Sequence, residues 1–441
     1  MTKTVGRRAA LMMPVGLLPL GLAACGDAKK NLPVGTEIPV VAVSGPLEKS
    51  PPAPSVVVPA PAGLQSWPQN NANPTHATGN LAGPRGLAQA WRANIGQGGG
   101  YRQPLEASPV VAEGKVFAMD ANGNITALSA ASGGHIWHTN TRPKHSTVLN
   151  IGGGLGYDSG VLYATTGYAE LLALDPASGN IKWRQPLDFP ARSAPTIAGG
   201  IVSLITQNDL LLTFNAASGT PGWRFIGKVG DIKASVAVTG APAYSSGILV
   251  AGFSSGTLAA LDANSGTPIW EKSFASVFGQ SSPVDFSDIA AAPVIAGDVV
   301  YAIGLGRSMQ AIDLHSGAKV WEHSAAGNQT ICVAGGFVFV LTTDQKLAAI
   351  HADDGLVSWT LQMPPFKNMK KLKNPIIWAG PIMMNGLLVL TNDHGEIAMV
   401  DPVAGAITST SNIDGPADLP PIAVAGAMLV LTRNATLTAY S

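Results

Sequence analysis

The sequence is long enough for one large repeat array and carries no net charge. It has 441 residues, with 27 Lys and Arg against 27 Asp and Glu, and only 12% of the residues are charged. A chain with this balance has no overall field that would draw it to nucleic acid or to an acidic membrane surface. We therefore expect no nucleic-acid partner.

The first 24 residues predict a lipoprotein signal peptide. Lys3, Arg7 and Arg8 precede an apolar run, residues 9–22, that is too short to span a bilayer as a mature helix. The run ends in Leu-Ala-Ala-Cys at 22–25, which resembles the bacterial lipobox. We therefore expect a lipid on Cys25, and the glycine that follows favours transfer to the outer membrane. The alternative is an ordinary cleavable signal with an incidental cysteine.

Residues 25–62 are expected to form a lipidated, proline-rich tether. Eight prolines fall between positions 33 and 61, and proline at that density favours extended polyproline II structure over helix or sheet. At ~3.1 Å per residue, such a tether could reach on the order of 100 Å. The sequence thus predicts a folded body that stands away from its lipid.

The remainder, residues 63–441, consists of a repeated unit of short predicted strands joined by turns. In the unit at 114–137, strands turn at Asn122-Gly123 and at Ser132-Gly133, and the third strand carries Trp137. A glycine followed four residues later by tryptophan recurs down the chain, at Trp137, Trp183, Trp223, Trp270, Trp321 and Trp359. A period of about 40–50 residues predicts a β-propeller of four-stranded antiparallel blades. The tryptophans are interpreted as structural, each packing between neighbouring blades.

The two ends of the array predict how its ring closes. A strand near residues 87–94 carries Trp91 but has no partner strands before it, whereas residues 421–440 supply three strands and no fourth. An open strand edge is a pairing hazard, so we expect the Trp91 strand to complete the last blade. Counting one blade that ends at Ser409 instead of tryptophan gives eight blades, all-β. An open solenoid is the alternative.

No motif for catalysis, cofactor binding or metal binding is found. The eight histidines show no metal-ligand spacing, no nucleophile elbow or phosphate loop occurs, and Cys332 is interpreted as a small buried hydrophobe. One basic cluster is interpreted as a solvated loop, with a site for an acidic partner as the alternative. It consists of Lys367, Lys370, Lys371 and Lys373.

The repeat Ala-Leu-Asp-x-x-Ser-Gly-x-x-x-Trp resembles the PQQ-like propeller repeat of quinoprotein dehydrogenases and their non-enzymatic relatives. With the lipobox, residues 32–40, residues 67–76 and Trp378-Ala-Gly-Pro381, the chain is similar to the BamB family of outer-membrane assembly lipoproteins. The resemblance implies an eight-bladed, non-enzymatic propeller on the periplasmic face of the cell outer membrane. It also implies a monomer within a hetero-complex, the β-barrel assembly (BAM) complex, that binds the periplasmic domains of BamA and assists barrel insertion.

Two other functions stay open at this point. A PQQ-dependent quinoprotein dehydrogenase would typically show an adjacent cysteine pair, which is impossible here because the chain has only two cysteines, at positions 25 and 332. A propeller scaffold of another envelope complex would share the repeat, the lipobox and the tether.

The topology of a blade predicts which loops share a face. Loops before the first strand and between the second and third strands emerge on one side, which places Arg192, before the third blade, and Asp288, before the fifth, on the same face. In BamB relatives, loops at these places contact BamA. By resemblance we expect Arg192, Asp285, Phe286 and Asp288 at the partner interface, although alanine stands at position 290, where the relatives have a second aspartate. The alternative is ordinary loop charges.

Overall fold

The computed structural model describes residues 46–227, 240–274 and 287–441. The predicted signal peptide, Cys25 and the first part of the tether lie outside these ranges, as do Asp285 and Phe286. The described part is all-β, and its strands form eight four-stranded antiparallel blades in a propeller arrangement. The predicted fold class and blade count are confirmed.

Of the 35 strands that the structure describes, 33 belong to the eight blades and two form a separate hairpin. The first four blades are β3 (Val110–Ala112), β4 (Lys115–Met119), β5 (Ile125–Ser129) and β6 (His135–Thr139); β7 (Gly153–Asp158), β8 (Val161–Thr166), β9 (Glu170–Leu174) and β10 (Ile181–Pro186); β11 (Thr196–Ala198), β12 (Ile201–Ile205), β13 (Leu210–Asn215) and β14 (Pro221–Ile226); and β15 (Ala243–Ser245), β16 (Ile248–Gly252), β17 (Thr257–Asp262) and β18 (Pro268–Ser273).

The other four blades follow the same pattern, with additions in blades seven and eight. They are β19 (Val294–Ala296), β20 (Val299–Ile303), β21 (Met309–Asp313) and β22 (Lys319–His323); β23 (Cys332–Ala334), β24 (Phe337–Leu341), β25 (Lys346–His351) and β26 (Val357–Gln362); β29 (Trp378–Met384), β30 (Leu387–Asn392), β31 (Glu396–Asp401) and β32 (Ala406–Asn412), joined by β1 (Asn80–Leu81); and β33 (Ile422–Val424), β34 (Ala427–Leu431), β35 (Thr436–Tyr440) and β2 (Gln89–Asn94). A separate hairpin, β27 (Phe366–Asn368) with β28 (Lys373–Pro375), joins blades six and seven.

The repeated glycine and tryptophan meet across each blade boundary. Each turn glycine has φ between +62° and +77°, and a Cβ placed on it would lie 2.5–2.9 Å from the ring of the preceding blade's tryptophan. Only glycine meets both demands. Six of the seven rings also donate an Nε1–H bond of 2.7–3.1 Å to a carbonyl of that turn. The pairs are Trp91–Gly133, Trp137–Gly179, Trp183–Gly219, Trp223–Gly266, Trp270–Gly317, Trp321–Gly355 and Trp359–Gly405.

The same contact closes the ring. Strand β2 pairs antiparallel with β35, so the strand that carries Trp91 is the fourth strand of blade eight, as predicted. Trp91 then packs on Gly133 of blade one. Ser409 is also explained, because blade eight has no covalent turn between its third and fourth strands. A tryptophan in blade seven would find no turn glycine on which to pack.

The described end of the predicted tether lies against the propeller. Pro46 forms a bridge with Ser324, Ser50 N–H donates to the Val357 carbonyl at 2.9 Å, and Leu47 and Val56 are buried. The expectation of a free extended chain is therefore wrong for residues 46–62, because their apolar side chains find sites on the blades. The boundary at residue 62 stays a prediction.

Residues 62–81 cross one end of the central channel. Backbone N–H groups of three innermost strands donate hydrogen bonds to carbonyl oxygens of this segment, with N···O distances of 2.6–2.8 Å. The pairs are Tyr157 with Pro68, Tyr244 with Pro74 and Ile295 with Thr75. Contacts of the same segment reach the remaining blades: Trp67 with Val111, Gln69 with Ile197, Asn71 with Thr330, β1 with β29, and Leu64 with Ala425. This closing segment, residues 62–81, thus touches all eight blades and seals the channel at the end where the first strands finish.

Candidate partner-binding site

The face opposite the closing segment carries the loops before each first strand and between each second and third strand. We call it the upper face. Large apolar side chains are exposed on the connections that enter blades one, two, three and seven. They are Tyr101, Val148, Leu149, Phe189, Met369, Leu372 and Ile377. Among the described residues, these are seven of the thirteen large hydrophobic side chains that are exposed.

These connections follow one arc of the ring. Because β2 closes the ring, blade eight lies between blades seven and one. The order around this arc is therefore blades seven, eight, one, two and three, and all but blade eight carry such a connection. Most of the other exposed apolar residues lie singly on outer strands, such as Ile136 on β6 and Ile269 on β18. Single exposed hydrophobics are normal, whereas a gathering of them on one face typically marks a site of protein contact.

The predicted basic cluster belongs to the same face. Lys367 and Lys373 lie on the strands of the β27–β28 hairpin, and Lys370 and Lys371 lie between Met369 and Leu372 at its tip. All four lysines are exposed. The expectation of a solvated loop is confirmed for the lysines, but two of the exposed apolar side chains stand beside them.

Arg192 and Asp288 meet each other in the interior. Both are fully buried, and Arg192 Nη2 donates to Asp288 Oδ2. Arg192 Nη1 also donates to Asp209 Oδ1 at 3.2 Å. We call these three residues the buried ionic cluster. The view of Arg192 and Asp288 as exposed loop charges is therefore wrong: the loops lie on the predicted face, but their charged side chains turn inward and pair.

The buried ionic cluster ties together upper-face loops from three successive blades. Asp209 lies between the second and third strands of blade three, and it accepts hydrogen bonds from the N–H and hydroxyl of Ser254 in the corresponding loop of blade four. The Asp288 carbonyl accepts from Leu305 N–H at 2.8 Å in blade five. A buried, hydrogen-bonded ion pair holds its loops in one geometry, and breaking it leaves an uncompensated charge.

Sequence reasoning missed Asp209 and the exposed apolar residues. Asp209 had a usable signal, since it sits in a second-to-third-strand loop and so on the same face as Arg192. Phe189 likewise lies three residues before Arg192, on the same connection into blade three. The pairing of Arg192 with Asp288 had no such signal, because these residues are 96 positions apart.

The described residues contain no group of three or more His, Cys, Asp or Glu side chains able to hold a metal ion. In the same part of the chain, no helix has the length and apolar character needed to cross a membrane. Cys332 is buried, and burial raises the pKa of its thiol to about 12, so it is a poor nucleophile.

Comparison with known proteins decides the family. A family model described as outer membrane protein assembly factor BamB matches residues 121–361, which is just over half of the chain. The chain belongs to the BamB family. A BamB of Yersinia pestis is 25% identical over 362 residues, covering 80% of this chain and 88% of that protein. The BamB of Escherichia coli K12 is 25% identical over 356 residues, covering 79% and 87%.

Solved structures agree on the fold. BamB from Moraxella catarrhalis superposes with a TM-score of 0.67 at 18% identity, covering 81% of this chain and all of that one. A quinohemoprotein alcohol dehydrogenase from Comamonas testosteroni has a TM-score of 0.66 at 13% identity, covering 86% and 81%. At such identities the likeness shows the propeller alone, and membership of the BamB family makes this chain an outer-membrane assembly factor and not an enzyme.

Proposed function

We propose that this BamB-family chain is a scaffold lipoprotein of the BAM complex, which binds the periplasmic domains of BamA through its upper face and assists insertion of barrel proteins. The observation that carries the proposal is the gathering of exposed apolar side chains on the upper-face connections of blades seven, one, two and three. Burying such side chains against a partner is the main favourable term in association. The outer strands that the structure describes carry their exposed isoleucines singly, each on a different blade.

The loops of Arg192 and Asp288 keep a role in this proposal, although their side chains are buried. The buried ionic cluster holds the loops of blades three, four and five rigid before the partner arrives. A preorganised loop loses less conformational entropy on binding, which leaves more of the contact energy for affinity. Phe189, exposed near Arg192, then makes the contact itself, and Asp285 and Phe286 stay predicted contacts on the connection that enters blade five.

Substituting the exposed apolar residues should weaken the complex without unfolding the propeller. In the double variant Val148→Ser with Phe189→Ser, we expect the affinity for BamA to fall at least about tenfold, or roughly 1.4 kcal/mol of binding free energy. Less BamA should therefore co-purify with the variant. The melting temperature should stay near that of the unsubstituted protein, because both side chains are exposed. The matched control is Ile136→Ser with Ile269→Ser, on outer strands. Equal loss from both pairs would place the docking surface elsewhere.

We further propose that Cys25 anchors the chain to the outer membrane on its periplasmic side. The lipobox at 22–25 and the tether supply the support. When binding to BamA is also prevented, the variant Cys25→Ser should move from the membrane pellet to the soluble periplasmic fraction, because the proposed lipid anchor is then absent. Continued sedimentation of that variant with outer membranes would point to a different anchor.

A further inference from the structure

A cavity of ≈ 300 Å³ lies on the propeller axis, above the closing segment. Residues at or just before the first strands of all eight blades line its wall, and the closing segment lines its floor. Ile377, which also lines the cavity, is exposed on the upper face. The cavity therefore reaches solvent on the side opposite the closing segment.

Three residues that line the cavity carry a buried polar atom to which no described group hydrogen-bonds. These atoms are Trp67 Nε1, His76 Nε2 and Glu106 Oε2. Trp67 and His76 are each 2% exposed. A buried polar group left without a partner destabilises the fold, and buried polar groups in folded proteins are nearly always satisfied. Three such atoms around one cavity make it a candidate binding site for a polar ligand.

The hydrogen-bonding roles of two of these atoms follow from their surroundings. His76 Nδ1 lies 2.8 Å from the Pro293 carbonyl, so Nδ1 carries the hydrogen and donates it. Burial lowers the pKa of His76 to about 4, which leaves the ring neutral. His76 Nε2 is thus an acceptor, whereas Trp67 Nε1–H can only donate.

The acid-base groups of the described lining that could carry a full charge near neutral pH are carboxyl groups. Two carboxylates line it, Glu106 and Asp418, and none of the described lining residues is Lys or Arg. Arg433 pairs with Asp418 through two hydrogen bonds of 2.5 and 2.7 Å. Glu106 has no such cation, and burial together with Asp418 raises the pKa of its carboxyl to about 7. An added positive charge beside Glu106 would stabilise its ionised form.

From this arrangement we propose that the axial cavity binds a small organic ammonium ion. Its N–H groups donate to Glu106 Oε2 and His76 Nε2, and the ligand supplies an acceptor or a bridging water for Trp67 Nε1–H. The size of the cavity suits an aliphatic amine or diamine. Of the exposed apolar residues of the upper face, this site shares only Ile377, and it does not depend on BamA binding.

The test compares two molecules of equal length with the full chain, using the Cys25→Ser variant to keep it soluble. In titration calorimetry, 1,4-diaminobutane should bind saturably at one site, and 1,4-butanediol should bind at least tenfold more weakly because it lacks the charge. Glu106→Gln should weaken diamine binding at least tenfold. Glu48→Gln, which removes an exposed carboxylate, should leave it unchanged.

A second measurement locates the site. The indole N–H resonance of Trp67, assigned by its loss in Trp67→Phe, should move on adding the diamine and stay fixed in Glu106→Gln. The proposal is overturned if neither compound binds, which would leave ordered water as the occupant. It is equally overturned if the diol binds as well as the diamine, or if Glu106→Gln binds the diamine normally.

Discussion

Replacing Arg192 by methionine is expected to destabilise the propeller by about 3–5 kcal/mol, the usual cost of breaking a buried ion pair by removing one partner. The substitution keeps most of the side-chain volume but leaves Asp209 and Asp288 buried together without their shared cation. Chemical denaturation followed by circular dichroism should show a lower midpoint with a nearly unchanged slope.

The matched control is Arg224→Met, on an exposed position of β14. Surface substitutions of that kind usually stay within about 0.5 kcal/mol. The double variant Arg192→Met with Asp288→Asn should lose less stability than the sum of the losses in the two single variants. The reason is that Asp288→Asn removes a buried charge that Arg192→Met leaves without its cation. Equal stability of Arg192→Met and Arg224→Met would mean that the pair is not buried in solution.

Three successive truncations should separate the closing strand from the closing segment. A chain that begins at residue 46 keeps every described contact and should melt like the full-length protein. A chain that begins at Gly83 loses the closing segment and the buried Trp67, a loss of roughly 3–5 kcal/mol for that side chain alone. A chain that begins at Ile95 also loses β2, exposes the edge of β35 and strips Trp91 from Gly133, so we expect it to be the least stable and to aggregate.

The differences in melting temperature between successive truncated chains test different claims. Equal melting temperatures for the chains that begin at Gly83 and Ile95 would show that β2 does not close the ring. Equal values for the chains that begin at 46 and Gly83 would show that the closing segment is not seated on the blades. A fourth chain, beginning at residue 62, tests whether the tether is dispensable for folding, because it loses the buried Leu47 and Val56, each worth about 1.5–3 kcal/mol.

Most of the fold follows from local sequence. A glycine four residues before a tryptophan is readable without any structure, because the turn and the ring belong to one repeat and the repeat recurs at an even spacing. Trp91 without partner strands and Tyr440 without a fourth strand then predict the closure. Even the exception at Ser409 has a local cause once blade eight is known to lack the receiving turn.

The site was less accessible to sequence reasoning because it depends on contacts between distant residues. Topology placed the loops of Arg192 and Asp288 on one face, but nothing local says that their side chains turn inward to meet. The closing segment is likewise a polar, irregular stretch whose path is set by contacts with eight separate blades. The axial cavity exists only as a consequence of both the ring and that segment.

Photo-crosslinking in cells tests the docking of the upper face most directly. Phe189 on the upper face and Ile269 on β18 are almost equally exposed, at 44% and 43%, so a photoreactive phenylalanine at either position samples its surroundings with similar reach. We predict a crosslink to BamA from position 189 and none from position 269. A crosslink from position 269 without one from position 189 would contradict the proposed docking face.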